Sequence, residues 1–206
     1  MTNLTFFFAE VPPLPLDSST LEVLQRGNER QQAAYRCVAS RKFLSKLSEF
    51  RGVLASTIAL GVDTPTSDLD FLCETSDLDR FSRFIIHNFG TFDQFHSVPT
   101  PTPQVARCYS FWCDGFEIEI FGSLEPLENQ PGFRHHVAIA RLIKLGGDHF
   151  RTKLRSLKLQ GVKTEPAIAQ LLSLSGNPYE SVASLTKLDD EALSRLVSSQ
   201  GSNGGV

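Results

Sequence analysis

Residues 104–122, QVARCYSFWCDGFEIEIFG, constrain this chain more than any other stretch. Two β-prone runs flank Asp114-Gly115, a pair favoured where both central residues of a tight type I′ turn need positive φ. The stretch therefore reads as a β-hairpin. In its second run Phe116, Ile118 and Ile120 alternate with Glu117 and Glu119. Side chains alternate across a strand, so both glutamates share one sheet face and the apolar set takes the other. A sheet with an acidic face is the first expectation.

A second feature supplies more acid. The tetrapeptide Ser-Asp-Leu-Asp occurs at 67–70 and again at 76–79. The first copy runs into Phe71, Leu72 and Cys73 and reads as a short, mostly apolar strand on which Asp68 and Asp70 point the same way. The second runs into RFSRFIIHNFG, where Leu78, Phe81, Ile85 and Phe89 recur at helical spacing and Gly90 is a natural stop. Ser76 with Asp79 three residues on has the spacing of a capping box, and Asp77 and Asp79 favour the positive end of a helix. The second copy is thus read as a helix start, and the first as chemistry.

Around these lie helices. Ser19 with Glu22 predicts a helix beginning near Leu21, and apolar spacing predicts one helix over 28–49. Short strands are expected within 51–57 and over 91–98. Past residue 123 the pattern turns helical: a helix over 132–147 closed by Gly146-Gly147, a basic amphipathic stretch over 148–161, a helix opened by Thr164 and Pro166, one capped by Asn177-Pro178-Glu180, and two more short ones. The expected organisation is a loose N-terminal arm (1–20), an α/β core (21–130), a helical annex (131–197) and a disordered tail (198–206).

Composition narrows the partners. Hydrophobic residues make up 41% of the 206, with sixteen phenylalanines, enough for a bulky core. A net charge of −3 argues against a protein built to coat extended nucleic acid. No apolar run approaches the roughly 18 residues of a membrane span. The N-terminus has neither the basic flank nor the cleavage site of an export signal, so a cytoplasmic protein is expected. Cys37, Cys73, Cys108 and Cys113 show no zinc-ribbon spacing and read as free, buried thiols. His135 and His136 lack partners at zinc-ligand spacing.

Asp68 and Asp70, with Glu119 or Glu117 on a neighbouring strand, would crowd like charges that a cation has to neutralise. Few hard oxygen ligands, with room for water and phosphate, suit Mg²⁺ or Mn²⁺. A calcium loop is excluded, because Leu72 and Cys73 fall where it needs a ligand and a glycine. Ser56 and Thr57, small and hydroxylated at a strand-to-turn junction, offer a cradle for phosphate. Arg134 and Arg141, seven apart on one helix face, with His135 and with Lys144 a turn on, are the expected triphosphate contacts.

This pattern resembles the DNA polymerase beta-like nucleotidyltransferases, which include aminoglycoside nucleotidyltransferases. Their signature is an apolar residue, Gly, and Ser or Thr, followed about ten residues later by Asp-x-Asp or Asp-x-Glu; Thr57 precedes Asp68 by eleven. The chain is more specifically similar to an uncharacterised bacterial branch, a domain of unknown function. The matching segments are GNERQQAAY (27–35), GVDTPTSDLDFLCE (61–74), FEIEIFG (116–122), FRHH (133–136) and residues 161–180, so the resemblance spans about residues 21–182.

The resemblance implies a minimal nucleotidyltransferase fold, a short mixed sheet flanked by helices with a C-terminal helical annex. It implies metal on Asp68 and Asp70, completed by Glu119 in preference to Glu117. Phosphate would be held by Thr57 and Ser67, and Lys163, Thr164 and Glu165 would line the cleft. The implied reaction moves a nucleoside monophosphate from an NTP to an acceptor hydroxyl, a small molecule being the favoured acceptor. The signature glycine is Ser56 here, which opens the alternative of a non-catalytic nucleotide-binding module.

Overall fold

The computed structural model describes residues 18–199. A five-stranded mixed sheet carries helices on one face and, at one end of the other, a C-terminal helical portion. In chain order come α1 (Ser18–Arg26), α2 (Glu29–Ser40), α3 (Phe43–Lys46), β1 (Val53–Leu54), β2 (Leu69–Glu74), α4 (Leu78–Phe89), β3 (Asp93–Val98), β4 (Ala106–Cys113) and β5 (Phe116–Ser123). After them come α5 (Pro131–Leu159), α6 (Thr164–Leu172), α7 (Pro178–Ser184) and α8 (Asp190–Ser199). The strand order is β1-β2-β5-β4-β3. Among the described residues β2 and β5 pair in parallel and the other neighbouring strands antiparallel.

The hairpin forms as its sequence predicts. Asp114 and Gly115 both take positive φ, 49° and 85°, and Cys113 pairs with Phe116 across the turn. Strand alternation then sorts the faces. Leu69, Phe71 and Cys73 of β2, Tyr109 and Phe111 of β4, and Ile118 and Ile120 of β5 enter one buried cluster with Phe43, Phe81, Ile85 and Phe89. Asp70, Leu72, Cys108, Ser110, Glu117 and Glu119 are left on the opposite face. Helix α4 lies against the sheet at Gly122, where an added Cβ would sit 2.4 Å from the Phe81 ring. A second buried cluster joins α5 to α8 around Leu142, Leu154, Ile168, Val182 and Leu193.

Several expectations shift. The single helix over 28–49 is instead α2, α3 and a 3-10 turn (Leu47–Phe50), broken where Lys42 adopts φ 56°. The break turns the chain so that Phe43 enters the centre of the aromatic core. Asn28 caps α2 in a reciprocal box with Gln31. Ser19 lies inside α1, one residue past Ser18. Residues 18–20, assigned to the arm, and 198–199, assigned to the tail, are helical; the rest of both segments lies outside the described residues. The helix over 132–147 does break at Gly147, as expected: at φ 58°, ψ −154° that residue is non-helical, and the basic stretch after it forms a second helical segment to Leu159, the two together making α5. All four cysteines are free and buried. Among the described residues no helix is long and apolar enough to cross a membrane.

The cap of α4 is Asp77, not Ser76: its carboxylate accepts from the backbone N–H groups of Asp79 and Arg80, both at 2.9 Å. Asp77→Ala is therefore expected to destabilise the fold by about 1 kcal/mol, whereas Ser76→Ala changes little. Urea unfolding of the two variants reads the difference.

Candidate functional site

The acidic cluster is assembled by strand pairing. In the parallel β2–β5 ladder Asp70 lies opposite Glu119. Asp68 sits two residues before Asp70, at the mouth of β2, on the same face. One carboxylate oxygen from each of Asp68, Asp70 and Glu119 lies within 4.8 Å of the other two. Glu117 stays out of the cluster, and its carboxylate accepts a hydrogen bond from Ser110 Oγ at 2.8 Å. Burial, and then the charge of Asp68 and of Glu119, raise the Asp70 carboxyl well above the usual carboxylate range. Burial, then Asp68 and Glu117, raise Glu119. Among the described residues no basic side chain forms an ion pair with any of the three. Negative charge gathered this tightly without an ion-paired cation is the electrostatic condition for divalent cation binding.

The turn before β2 is held from several sides. Ser56 is fully buried; its hydroxyl donates to the Asp68 carbonyl at 2.6 Å and accepts from the Ile58 N–H at 3.2 Å. It therefore braces the turn from within and does not line the cavity. Thr57 and Ser67 do line it, with their hydroxyls 3.4 Å apart, and Ser67 Oγ also accepts from the Thr64 N–H. Helix α2 clamps the same turn. Gln31 donates to the Ile58 carbonyl, and Arg30 donates to the Ser67 carbonyl at 2.8 Å. Arg30 also pairs with the buried Asp63 at 3.3 Å and lies over the Phe116 ring. The segment 27–35 thus fixes the backbone that delivers Ser67 and Asp68.

Carboxylates and turn open into a cavity of about 730 Å³, closed on its far side by α5 and α6. Lys158, Lys163, His135 and Glu165 line that wall. Arg134, Arg141 and Lys144 do not. Arg134 donates to the Ala183 carbonyl, and the buried Arg141 is occupied by Asp190 and the Leu188 carbonyl, while Lys144 is exposed. The reason is helical phase: His135 and Ile139 face the cavity, and the face carrying Arg134 and Arg141 meets the helical portion's own core. Sequence reading missed Lys158. It continues the buried positions Phe150 and Leu154 at intervals of four, so a cation on an apolar stripe was the available signal. Burial lowers its pKa, against the pull of Asp63, Glu165, Asp68 and Asp70.

His135 faces two acceptors: Glu165 lies 3.1 Å from Nδ1, and the Tyr179 carbonyl 2.9 Å from Nε2. Neither partner can donate when Glu165 is ionised, so the surroundings favour a proton on both ring nitrogens. Burial opposes that charge, but Glu165 outweighs it and the net shift of His135 is upward from 6.5. Stability from this pair is full below pH 6.5 and lost as pH rises through the folded value. The neighbouring His136 behaves oppositely. Burial lowers it to about 4, so its contribution is present above 6.5 and lost as pH falls from there towards 4. The two histidines therefore contribute slopes of opposite sign, His136 losing stability as pH falls below 6.5 and His135 losing it as pH rises above, and His135→Gln should reduce the alkaline loss without touching the acid one. Thermal melts across pH 4 to 9 check this.

Among curated proteins and solved structures, none matches the chain significantly. A family profile does match, over residues 36–185, a span that holds all three clustered carboxylates, the turn before β2 and the far wall of the cavity. The chain belongs to the family described as a domain of unknown function, DUF4269.

Proposed function

We propose that the protein is a nucleotidyltransferase of the DNA polymerase beta-like type, transferring a nucleoside monophosphate from an NTP to an acceptor hydroxyl. The observation that carries this reading is the convergence of Asp68, Asp70 and Glu119 at one end of a cavity whose opposite wall is cationic. Three hard oxygen donors with no ion-paired cation on them fit Mg²⁺ or Mn²⁺. Bound there, the ions would supply charge neutralisation at the attacking and leaving oxygens. Asp68, Asp70 and Glu119 would hold them. The hydroxyls of Thr57 and Ser67 face the phosphates, as do the ammonium groups of Lys158 and Lys163. The acceptor oxygen forms a bond to the α-phosphorus while the bond to the β-phosphate bridging oxygen breaks. Pyrophosphate leaves, and the acceptor proton passes to solvent. The cavity suits a small acceptor better than a long nucleic acid, in keeping with the net charge of −3. Four unpaired thiols accord with a reducing, cytoplasmic setting.

A second reading has its own support. Ser56 stands where the superfamily signature has glycine, and its hydroxyl consumes the Ile58 N–H, a donor of the turn. A non-catalytic nucleotide-binding module would accept that loss. Titration calorimetry with ATP, CTP, GTP and UTP, with and without Mg²⁺, tests both readings, and binding of none sinks both. Pyrophosphate release over a panel of hydroxyl acceptors separates them: release establishes transfer, and Mg²⁺-dependent binding with no release from any acceptor favours the module.

A further inference from the structure

A second group of ligating side chains lies on the other side of the sheet. Cys37 comes from the last turn of α2, Cys113 from the end of β4, and Asp114 from the hairpin turn. Sγ of each cysteine and one Asp114 oxygen lie within 4.8 Å of one another. Both thiols are buried, and Asp114 is partly exposed. The Cys37 thiol has a weak partner, the Cys113 carbonyl at 3.6 Å. Residues 37 and 113 are far apart in sequence, so their meeting is a product of how α2 packs on the hairpin.

We propose that Cys37, Cys113 and Asp114 bind one thiophilic divalent cation, Zn²⁺ in the cell. Two thiolates and a carboxylate suit zinc in both softness and charge. Zn–S bonds of about 2.3 Å and Zn–O bonds of about 2.1 Å place tetrahedral ligands roughly 3.5–4 Å apart, so contraction by about 1 Å closes the site. Water takes the fourth position. Two shallow depressions lead in from solvent, one bordered by Trp112, Cys113 and Asp114 and the other by Arg36, Cys37 and Asp114. Uptake releases two thiol protons to solvent and displaces Arg41 from Asp114, where it pairs at 3.1 Å with both side chains about half exposed. An exposed pair of that kind is a weak competitor. The site shares no residue with the Asp68, Asp70 and Glu119 cluster and stands independently of the proposed function.

Cd²⁺ serves as the probe, titrated into the reduced full-length protein while the ultraviolet sulfur-to-cadmium charge-transfer band is followed. One equivalent should saturate the band, and competition with a chromophoric chelator should give Zn²⁺ the same stoichiometry. Cys108 lines the carboxylate cavity and could capture cadmium there, so a Cys73→Ser, Cys108→Ser variant is the decisive background: the band should persist in it. Cys37→Ser or Cys113→Ser should abolish it. Asp114→Asn should weaken binding by about 10-fold or more, and Arg41→Ala should strengthen it. Asp68→Asn with Asp70→Asn should leave it unchanged. Absence of the band at one equivalent overturns the proposal. So does loss of the band in the Cys73→Ser, Cys108→Ser background, which requires no change to the proposed ligands and keeps the test valid if the ligand variants fold poorly.

Discussion

Asp70→Asn is expected to abolish Mg²⁺-dependent pyrophosphate release, by at least about 1,000-fold, while making the metal-free protein more stable. The two effects have one cause. Asp70 lies between Asp68 and Glu119, and its carboxyl is raised by burial first and by those charges second. A carboxyl whose folded pKa exceeds its unfolded value contributes full stability below the unfolded value, and that stability is lost as pH rises through the folded one. In the metal-free wild type Asp70 therefore costs stability as pH rises above about 4, and Asn removes that cost. With Mg²⁺ or Mn²⁺ the order inverts: wild type gains stability from the ion and the variant gains little. Melting temperatures at pH 7 with and without Mn²⁺, beside a pyrophosphate assay, check both parts. A variant that still binds Mn²⁺ with wild-type affinity would remove the carboxylate cluster from the mechanism.

Phe43→Ala should be the most destabilising change among single core truncations, costing about 3–5 kcal/mol. The ring is fully buried and lies 5.2 Å from Phe71, 5.5 Å from Phe89 and 6.1 Å from Phe111, near parallel to all three. It therefore joins α3 to β2, α4 and β4 at one point. Removing it leaves a cavity whose walls are rings on separate elements, which cannot all close inward. Domains of this size hold roughly 5–15 kcal/mol in total, so the variant should sit close to unfolding. Urea denaturation with an unchanged slope and a much lower midpoint is the expected result, and a midpoint within error of wild type would contradict it. Gly122→Ala acts on the same face by overpacking, since its Cβ would meet the Phe81 ring at 2.4 Å.

Much of the candidate site was legible because it depends on local periodicity. The Asp-Gly turn, the shared face of Glu117 and Glu119, and the common direction of Asp68 and Asp70 come from alternation along single strands. The two copies of Ser-Asp-Leu-Asp separate correctly into strand and helix because the apolar residues after the first copy run on as a strand and those after the second recur at helical spacing. The cap of α4 falls one residue later than expected, since Ser76 and Asp77 are both good caps and backbone torsion decides between them: Asp77 has the extended φ of −145°.

The basic wall illustrates the opposite case. Arg134 and Arg141 share a helix face, as their spacing requires, but spacing does not say what that face meets. It meets Ala183, Leu188 and Asp190, while Lys158, near the far end of the same kinked helix, reaches the cavity. Gly147 redirects the second half of α5 towards the turn at Asp63, where Arg155 donates to the Asp63 carbonyl. No propensity assigns that direction.

By itself the sequence determined which side chains share a face, because the two periods of backbone structure are properties of consecutive residues. The tertiary structure alone decided that Glu119, not Glu117, stands beside Asp70, and that Ser56 braces the turn from within. It also decided that Lys158, and neither Arg134 nor Arg141, lines the cavity. Each of these depends on a register between segments separated by tens of residues, above all the parallel β2–β5 ladder. Such a register is fixed by how whole faces bury against one another, and neither strand encodes it alone.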